Sequence, residues 1–126
     1  KELFEAITEN WKRSSRLMKA LLKDTPYFHF LQPNQYFSKR QFSAKEKGIA
    51  VNEEHIYKEG VLLGYPLLIE KSTQFSNLSF FNGVSIFDNE SEIIYVDDCC
   101  HFNAKGNQIL AKFIIFILFK VPIIQN

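Results

Sequence analysis

An aspartate and a histidine within residues 93–107 give this sequence its clearest capacity for chemistry. The segment reads IIYVDDCCHFNAKGN, an apolar β-branched run that leads into an acidic turn and a histidine. Asp98 lies three residues before His101, and a carboxylate at that spacing on a tight turn can accept a hydrogen bond from the imidazole Nδ1. That bond fixes the tautomer and leaves Nε2 free to act as a base. Asp97 is one residue further back, and on an extended backbone we expect its side chain to point elsewhere.

The residues after His101 predict that its position is rigid. Asn103 is a favourable N-cap and an apolar run follows it, so a helix should start just beyond the histidine. A general base needs such fixed placement. We therefore interpret His101 as a candidate catalytic base and Asp98 as the carboxylate that orients it.

Two other kinds of chemistry can be weighed at this turn. Residues 97–101 are all of types that ligate zinc, but contiguous side chains do not readily converge on one tetrahedral ion, and no second spaced pair of cysteines or histidines accompanies them. Cys100 adjoins its only candidate base, which disfavours a cysteine nucleophile. We expect no metal and no cofactor. Cys99 and Cys100 are interpreted as buried structural thiols, since adjacent cysteines pair only through a strained ring.

The apolar pattern predicts helices and strands that would position this turn. Residues 2–23 predict an amphipathic helix whose buried stripe is Leu3, Ile7, Trp11, Met18 and Leu21. Residues 27–31 and 77–81 are short apolar runs that predict strands. Residues 109–119 are apolar except for Lys112, which predicts a buried terminal helix, far too short to cross a bilayer.

A capping box predicts a further helix. Ser43 and Glu46 have the required spacing, so this helix should start at Ser43 and run through residues 56–57. Near residues 64–66 we expect a break and then a shorter helix, or else a continuous helix with a kink. Arg40, beside Lys39, is interpreted as solvated.

The other two histidines are given structural interpretations. His29 lies inside an apolar strand, where a hydrogen-bonded core histidine is more common than a ligand. His55 lies among charged residues and is interpreted as part of a solvated helix face.

Gln32 and Asn34 follow the first predicted strand. In open α/β sheets ligands bind at the carboxyl ends of the strands, which makes these two amides candidate substrate-binding residues. The alternative is an ordinary strand-ending loop with solvated amides. The alternation of strands and helices predicts an α/β domain with a parallel sheet. The chain has 15 basic and 14 acidic residues and a net charge of +1, so it lacks the basic surface of proteins that bind nucleic acid or anionic membranes.

Two segments resemble conserved blocks of SGNH (GDSL-type) hydrolases. Asp98 and His101 form an Asp-x-x-His motif, followed by Phe-Asn at 102–103 and Gly-Asn at 106–107, which resembles the last block of the family. Residues 30–36, FLQPNQY, resemble a mid-chain segment of one bacterial branch. The resemblance covers most of the chain. It implies the three-layer, flavodoxin-like SGNH hydrolase fold, of which residues 1–126 would be the carboxyl-terminal part of a single domain, with parallel strands and flanking helices.

The same resemblance implies a serine ester hydrolase with Asp98 as orienter and His101 as base. Its substrates would be carboxylic esters, with O-acyl groups of carbohydrates or lipids as candidates. The Gly-Asp-Ser and Gly-x-Asn-Asp blocks of the family do not occur here, and the chain begins at Lys1. We therefore expect a preceding segment of the same protein to supply the serine, and residues 1–126 alone to be inactive. The alternative is a non-catalytic binding or interaction domain that keeps the fold without the nucleophile.

Overall fold

The computed structural model describes residues 1–75 and 79–120. Within them lie four helices and two strands: α1 (Glu2–Leu22), β1 (Phe28–Leu31), α2 (Ala44–Ala50), α3 (Lys58–Ser72), β2 (Ser79–Asn82) and α4 (Ala104–Lys120). The chain divides into two compact units. The first comprises Lys1–Leu31 and Ile56–Asn82, and the second comprises Gln32–His55 and Gly83–Asn126.

The first unit contains a parallel pair of strands. Phe28 of β1 lies opposite Ser79 of β2, and the pairing continues in register to Leu31 and Asn82. The rings of Phe30 and Phe81 stack across the pair with centroids 5.3 Å apart. The predicted strand at 27–31 and the parallel pairing are confirmed. The strand predicted at 77–81 is confirmed from residue 79 onward, because residues 77 and 78 lie outside the described residues. A mixed helix-and-sheet architecture with parallel strands is compatible with the α/β class.

Helix α1 forms where the sequence predicts it, but the predicted buried stripe is wrong at four of its five positions; only Trp11 packs inward, against aromatic rings of the same unit. Leu3, Ile7, Met18 and Leu21 are all exposed, and the buried side chains of α1 are polar: Thr8, Lys12 and Ser15. Each of these has a hydrogen-bond partner. The Thr8 and Ser15 hydroxyls donate to main-chain carbonyls one turn back, and Lys12 Nζ lies 2.9 Å from Gln74 Oε1. A polar face can be buried at little cost once its groups are satisfied in this way.

The predicted helix from Ser43 is correct at its start and wrong at its end. The Ser43 hydroxyl accepts a hydrogen bond from the Glu46 main-chain N–H at 3.2 Å, which confirms the N-cap. Helix α2 then ends at Ala50, because Val51 takes an extended conformation. The next helix, α3, runs without a break through Pro66. Of the two alternatives predicted at 64–66, the break is wrong and the continuous helix is the one observed. Helix α3 packs along α1, and such tertiary contact commonly overrides a local helix breaker.

The core of the second unit surrounds the segment that carries the candidate chemistry. Ala50, Phe87, Ile94 and Tyr95 are completely buried, and partly buried apolar side chains pack around them. The Phe102 ring meets Phe87 and Tyr95 edge-on, with centroids 5.0 and 5.4 Å apart. Tyr95 and Phe102, on either side of residues 96–101, are thus fixed by packing.

Helix α4 follows the turn. Its predicted N-cap is confirmed, because Asn103 Oδ1 accepts the Gly106 N–H at 3.0 Å. Its predicted burial is wrong: Gly106 is its only buried residue, and Phe119 is 88% exposed. Among the described residues, no helix combines the length and the apolar character that a membrane crossing requires.

Gly106→Ala is expected to destabilise the second unit. A Cβ at this position would lie 2.7 Å from Ile94 Cγ2 and 2.8 Å from Phe102 Cβ, so the start of α4 would have to move off the core. Overpacking of this kind costs about 1–3 kcal/mol. Urea unfolding of the variant beside Gly48→Ala, whose added Cβ meets nothing within 4 Å, measures the difference. Equal stability of the two variants would contradict the close approach.

Candidate functional site

Residues 94–103 form a loop whose two ends are paired. Tyr95 and Phe102 form an antiparallel bridge. The Val96 N–H donates to the His101 carbonyl at 3.1 Å, and the Asn103 N–H donates to the Ile94 carbonyl at 2.8 Å. The tip of this loop presents residues 97–101 together.

The carboxylate that holds His101 is that of Asp97. Its Oδ2 lies 2.6 Å from His101 Nδ1. Its Oδ1 accepts main-chain N–H bonds from Cys99, Cys100 and His101, at 3.0, 3.1 and 3.3 Å. The prediction that Asp98 makes the contact with His101 is therefore wrong. The backbone is not extended beyond residue 97 but turns around the Asp97 carboxylate, as aspartates often cause. The turn brings the imidazole of His101, four residues after Asp97, within reach of the Asp97 carboxylate.

Asp98 has a different place in the loop. Its Oδ2 accepts a hydrogen bond from Asn52 Nδ2 at 3.0 Å, and its main-chain carbonyl accepts one from the Tyr36 hydroxyl at 3.1 Å. The Tyr36 hydroxyl also lies 3.2 Å from both the N and the O of Asn52. Asp98 thus ties the turn to two other segments of the second unit.

The electrostatics of the pair suit a general base. The hydrogen bond from His101 lowers the pKa of Asp97 far below its ordinary value, and the main-chain N–H groups of residues 99–101 add to this effect. Asp97 therefore stays ionised and accepts the Nδ1 proton. The His101 side chain is 68% exposed, against 38% for Asp97. With Nδ1 engaged, the proton-accepting nitrogen of the imidazole is Nε2, on an exposed ring.

A buried ion pair holds the main chain that leads into the loop. The guanidinium of Arg40 binds both carboxylate oxygens of Glu46, at 2.9 and 2.6 Å, and both side chains are almost fully buried. Glu46 Oε1 also accepts the main-chain N–H groups of Ile94 and Tyr95, at 2.7 and 3.1 Å. Arg40 donates to the main-chain carbonyls of residues 90 and 92. The interpretation of Arg40 as solvated is wrong, because its charge is neutralised and all its contacts lie inside the unit.

Sequence reasoning missed four residues of this arrangement: Tyr36, Arg40, Glu46 and Asn52. Two signals were available: the capping box singled out Glu46, and Tyr36 ends the 30–36 segment that resembles a conserved block. In the structure Glu46 is indeed third in the helix, but its side chain turns inward to Arg40 rather than back to the cap. Nothing in the local pattern links Tyr36 and Asn52, on irregular segments, to Asp98, which lies 62 and 46 residues later.

The candidate substrate-binding residues lie in the same unit as the turn. Gln32 is exposed. Asn34 is 6% exposed, and its Oδ1 accepts the Tyr36 N–H at 3.0 Å, so this oxygen shapes the loop itself. The binding role of the two amides stays a prediction.

Of the other two histidines, His29 belongs to the first unit and His55 to the second. His29 is half-buried in β1, with Nδ1 2.9 Å from the Ser15 hydroxyl and its ring edge-on to Trp11. Burial lowers the pKa of His29, because desolvation disfavours the charged imidazolium. His55 lies between α2 and α3, so its placement on a helix is wrong.

Neither cysteine forms a disulfide, and Cys99 is exposed and Cys100 partly exposed, so their interpretation as buried thiols is wrong. Their sulfur atoms lie 3.7 Å apart. Over residues 1–75 and 79–120, no group of three or more His, Cys, Asp or Glu side chains is arranged to hold a metal ion. Comparison of the chain with protein-family models, with curated proteins and with solved structures finds no match.

Proposed function

We propose that this chain supplies the catalytic base of a serine ester hydrolase of the SGNH type. The observation that carries the proposal is the 2.6 Å contact between Asp97 Oδ2 and Nδ1 of an exposed imidazole, His101. A carboxylate that fixes the tautomer of a histidine and leaves Nε2 accessible is the arrangement that activates a serine hydroxyl. The parallel strands support the finer proposal of a flavodoxin-like, three-layer fold.

The proposed reaction is acyl transfer in two steps. His101 Nε2 takes the proton of the serine hydroxyl while the serine oxygen attacks the ester carbonyl. The tetrahedral intermediate collapses, the alcohol leaves with the proton from His101, and an acyl-serine remains. Water, deprotonated by His101, then releases the carboxylic acid. Asp97 stays ionised throughout and stabilises the imidazolium.

The proposed reaction needs a serine and an oxyanion hole, and the sequence of residues 1–126 contains no recognisable motif for either. We assign them to a preceding segment of the same protein. The substrate class is carboxylic esters, with O-acyl groups of carbohydrates or lipids as the candidates. In this proposal Asp97 takes the role that the Asp-x-x-His resemblance gives to Asp98, because Asp97 makes the contact.

Replacing His101 with Ala in the protein that carries the nucleophile is expected to lower kcat by about 10²- to 10⁴-fold, the range that a positioned general base contributes. Hydrolysis of an activated acetyl ester, followed at saturating substrate, measures it. His55→Ala is the histidine control: His55 belongs to the same unit and its ring lies beside Tyr36, with centroids 6.5 Å apart, so this variant shows what the loss of a neighbouring imidazole alone does to kcat. Full activity of His101→Ala would contradict the assignment of His101 as the base, whereas the non-catalytic binding domain is favoured only if the unchanged protein itself hydrolyses no ester.

A further inference from the structure

Helix α1 has two different faces. Its inward face carries Thr8, Lys12 and Ser15, which are buried, and Trp11, which packs against aromatic rings of the first unit. The opposite face is exposed along the whole helix, apolar towards both ends and polar only in the middle. An exposed apolar stripe of this kind marks an interaction surface. We name it the outer seam, and its residues are Leu3, Ile7, Asn10, Ser14, Leu17 and Leu21.

The spacing of the outer seam indicates what kind of surface it fits. Its residues follow one another at alternating steps of four and three, which is the heptad spacing with which one α-helix packs along another. A lipid surface favours a broader apolar face, without polar residues at its centre. The seam therefore fits a second helix of matching pattern.

The outer seam is complementary to itself. When two copies of α1 lie antiparallel about a two-fold axis at residue 12, each apolar residue of one seam faces an apolar residue of the other. The polar residues face each other beside the axis, where a polar layer fixes the register of paired helices. The facing pairs, with the second residue from the other copy, are Leu3–Leu21, Ile7–Leu17 and Asn10–Ser14.

The charges of α1 favour the antiparallel direction. Glu2 and Glu5 lie in its first turn, whereas Arg16, Lys19 and Lys23 lie towards its end. In an antiparallel pair the acidic end of one helix lies beside the basic end of the other, and the two helix macrodipoles oppose each other. A parallel pair would bring like charges together. We propose that this chain forms a dimer with a second copy of itself through the outer seam, with the two α1 helices antiparallel. The proposal does not depend on the esterase activity.

Sedimentation equilibrium of the chain, at concentrations up to about 100 μM, tests the dimer. A dimer with a Kd of about 10 μM or tighter is then mostly formed, and this is the expected result. Leu17→Glu should raise the Kd at least about 100-fold, because each dimer would bury two unpaired carboxylates. Its far-ultraviolet circular dichroism should not change, since Leu17 is already exposed.

Leu62→Glu is the matched control for Leu17→Glu. Leu62 is also an exposed leucine on a helix of the first unit, and it lies outside the outer seam. This variant should dimerise as the unchanged chain does. A monomer at about 100 μM, or an equal Kd for the two glutamate variants, would overturn the proposal.

Disulfide cross-linking tests the direction. In a chain that also carries Cys99→Ser and Cys100→Ser, a mixture of the Leu3→Cys and Leu21→Cys variants should form covalent dimers of unlike chains under mild oxidation. Each variant alone should cross-link far less, because in the antiparallel pair residues of the same number lie about 27 Å apart, at opposite ends of the helices. Efficient cross-linking of either variant with itself would indicate parallel helices and overturn the proposal.

Two further measurements decide between the second copy and other occupants of the outer seam. Binding of a monomeric chain to phosphatidylcholine–phosphatidylglycerol vesicles, lost in Leu17→Glu, would assign the seam to a lipid surface. Cross-links that form in residues 1–126 but not in the longer protein that carries the nucleophile would assign it to the preceding segment. Either result would overturn the dimer.

Discussion

Asp97→Asn is expected to lower kcat of the proposed ester hydrolysis by about 10²- to 10⁴-fold, and Asp98→Asn is expected to retain most of it. In the Asp97 variant the amide oxygen can keep the main-chain N–H groups of residues 99–101, so the turn survives. The amide nitrogen then faces His101 Nδ1, where Asp97 Oδ2 lies 2.6 Å away. An N–H donor there favours the tautomer whose proton is on Nε2, which cannot accept the serine proton.

Steady-state kinetics of the two variants side by side give the measurement. Asp98→Asn is the matched control, because the new side chain keeps an oxygen that can accept the Asn52 amide. The pH profile adds a second readout. Since the pKa of Asp97 is lowered, its carboxylate stays ionised through mildly acidic pH, so titration of Asp97 should not appear in the pH profile of kcat. Comparable losses in both variants, or a larger loss for Asp98→Asn, would contradict the assignment of Asp97.

Local sequence signals predict the elements that depend on nearest neighbours. The aromatic run before Leu31 predicts β1, and the caps Ser43 and Asn103 predict the starts of α2 and α4 within a residue. Each of these features is set by a side chain and a main-chain group three or fewer positions apart, or by an unbroken apolar run. The amphipathic period predicts the extent of α1 equally well.

Features that depend on distant partners were not predictable in this way. Lys12 of α1 can be buried because it meets Gln74, some sixty residues away. At residues 64–66 the local sequence left a break and a continuous helix open, and the continuous helix α3 is the one that forms.

The choice between Asp97 and Asp98 shows why the site itself was only partly predictable. The sequence identifies a carboxylate and a histidine on one turn, and that much is present in the structure. Which carboxylate contacts the imidazole depends on the path of the backbone between them. Asp97 Oδ1 accepts three successive N–H groups, so the backbone coils around this carboxylate. The imidazole four residues later, that of His101, is then the one that lies within hydrogen-bond distance. A rule based on an extended backbone gives the opposite answer.

Arg40→Met is expected to cause the largest loss of stability of any change considered in this chain. It would leave the Glu46 carboxylate, whose side chain is completely buried, without its counter-charge. Breaking a buried pair by removing one partner costs about 3–5 kcal/mol, a large share of the roughly 5–15 kcal/mol that stabilises a native protein. The variant also loses the Arg40 hydrogen bonds to the main chain of residues 90 and 92.

Urea unfolding of Arg40→Met beside Lys39→Met measures this cost. Lys39 is the exposed neighbour of Arg40, so its replacement should change the free energy of unfolding by no more than about 0.5 kcal/mol. The double variant Arg40→Met, Glu46→Leu separates the charge from the hydrogen bonds. Removing both charges should recover part of the loss, because no unpaired carboxylate remains. Recovery should be incomplete, since the N–H groups of Ile94 and Tyr95 lose the oxygen that accepts them. If Arg40→Met is as stable as Lys39→Met, the pair does not support the loop that carries Asp97 and His101.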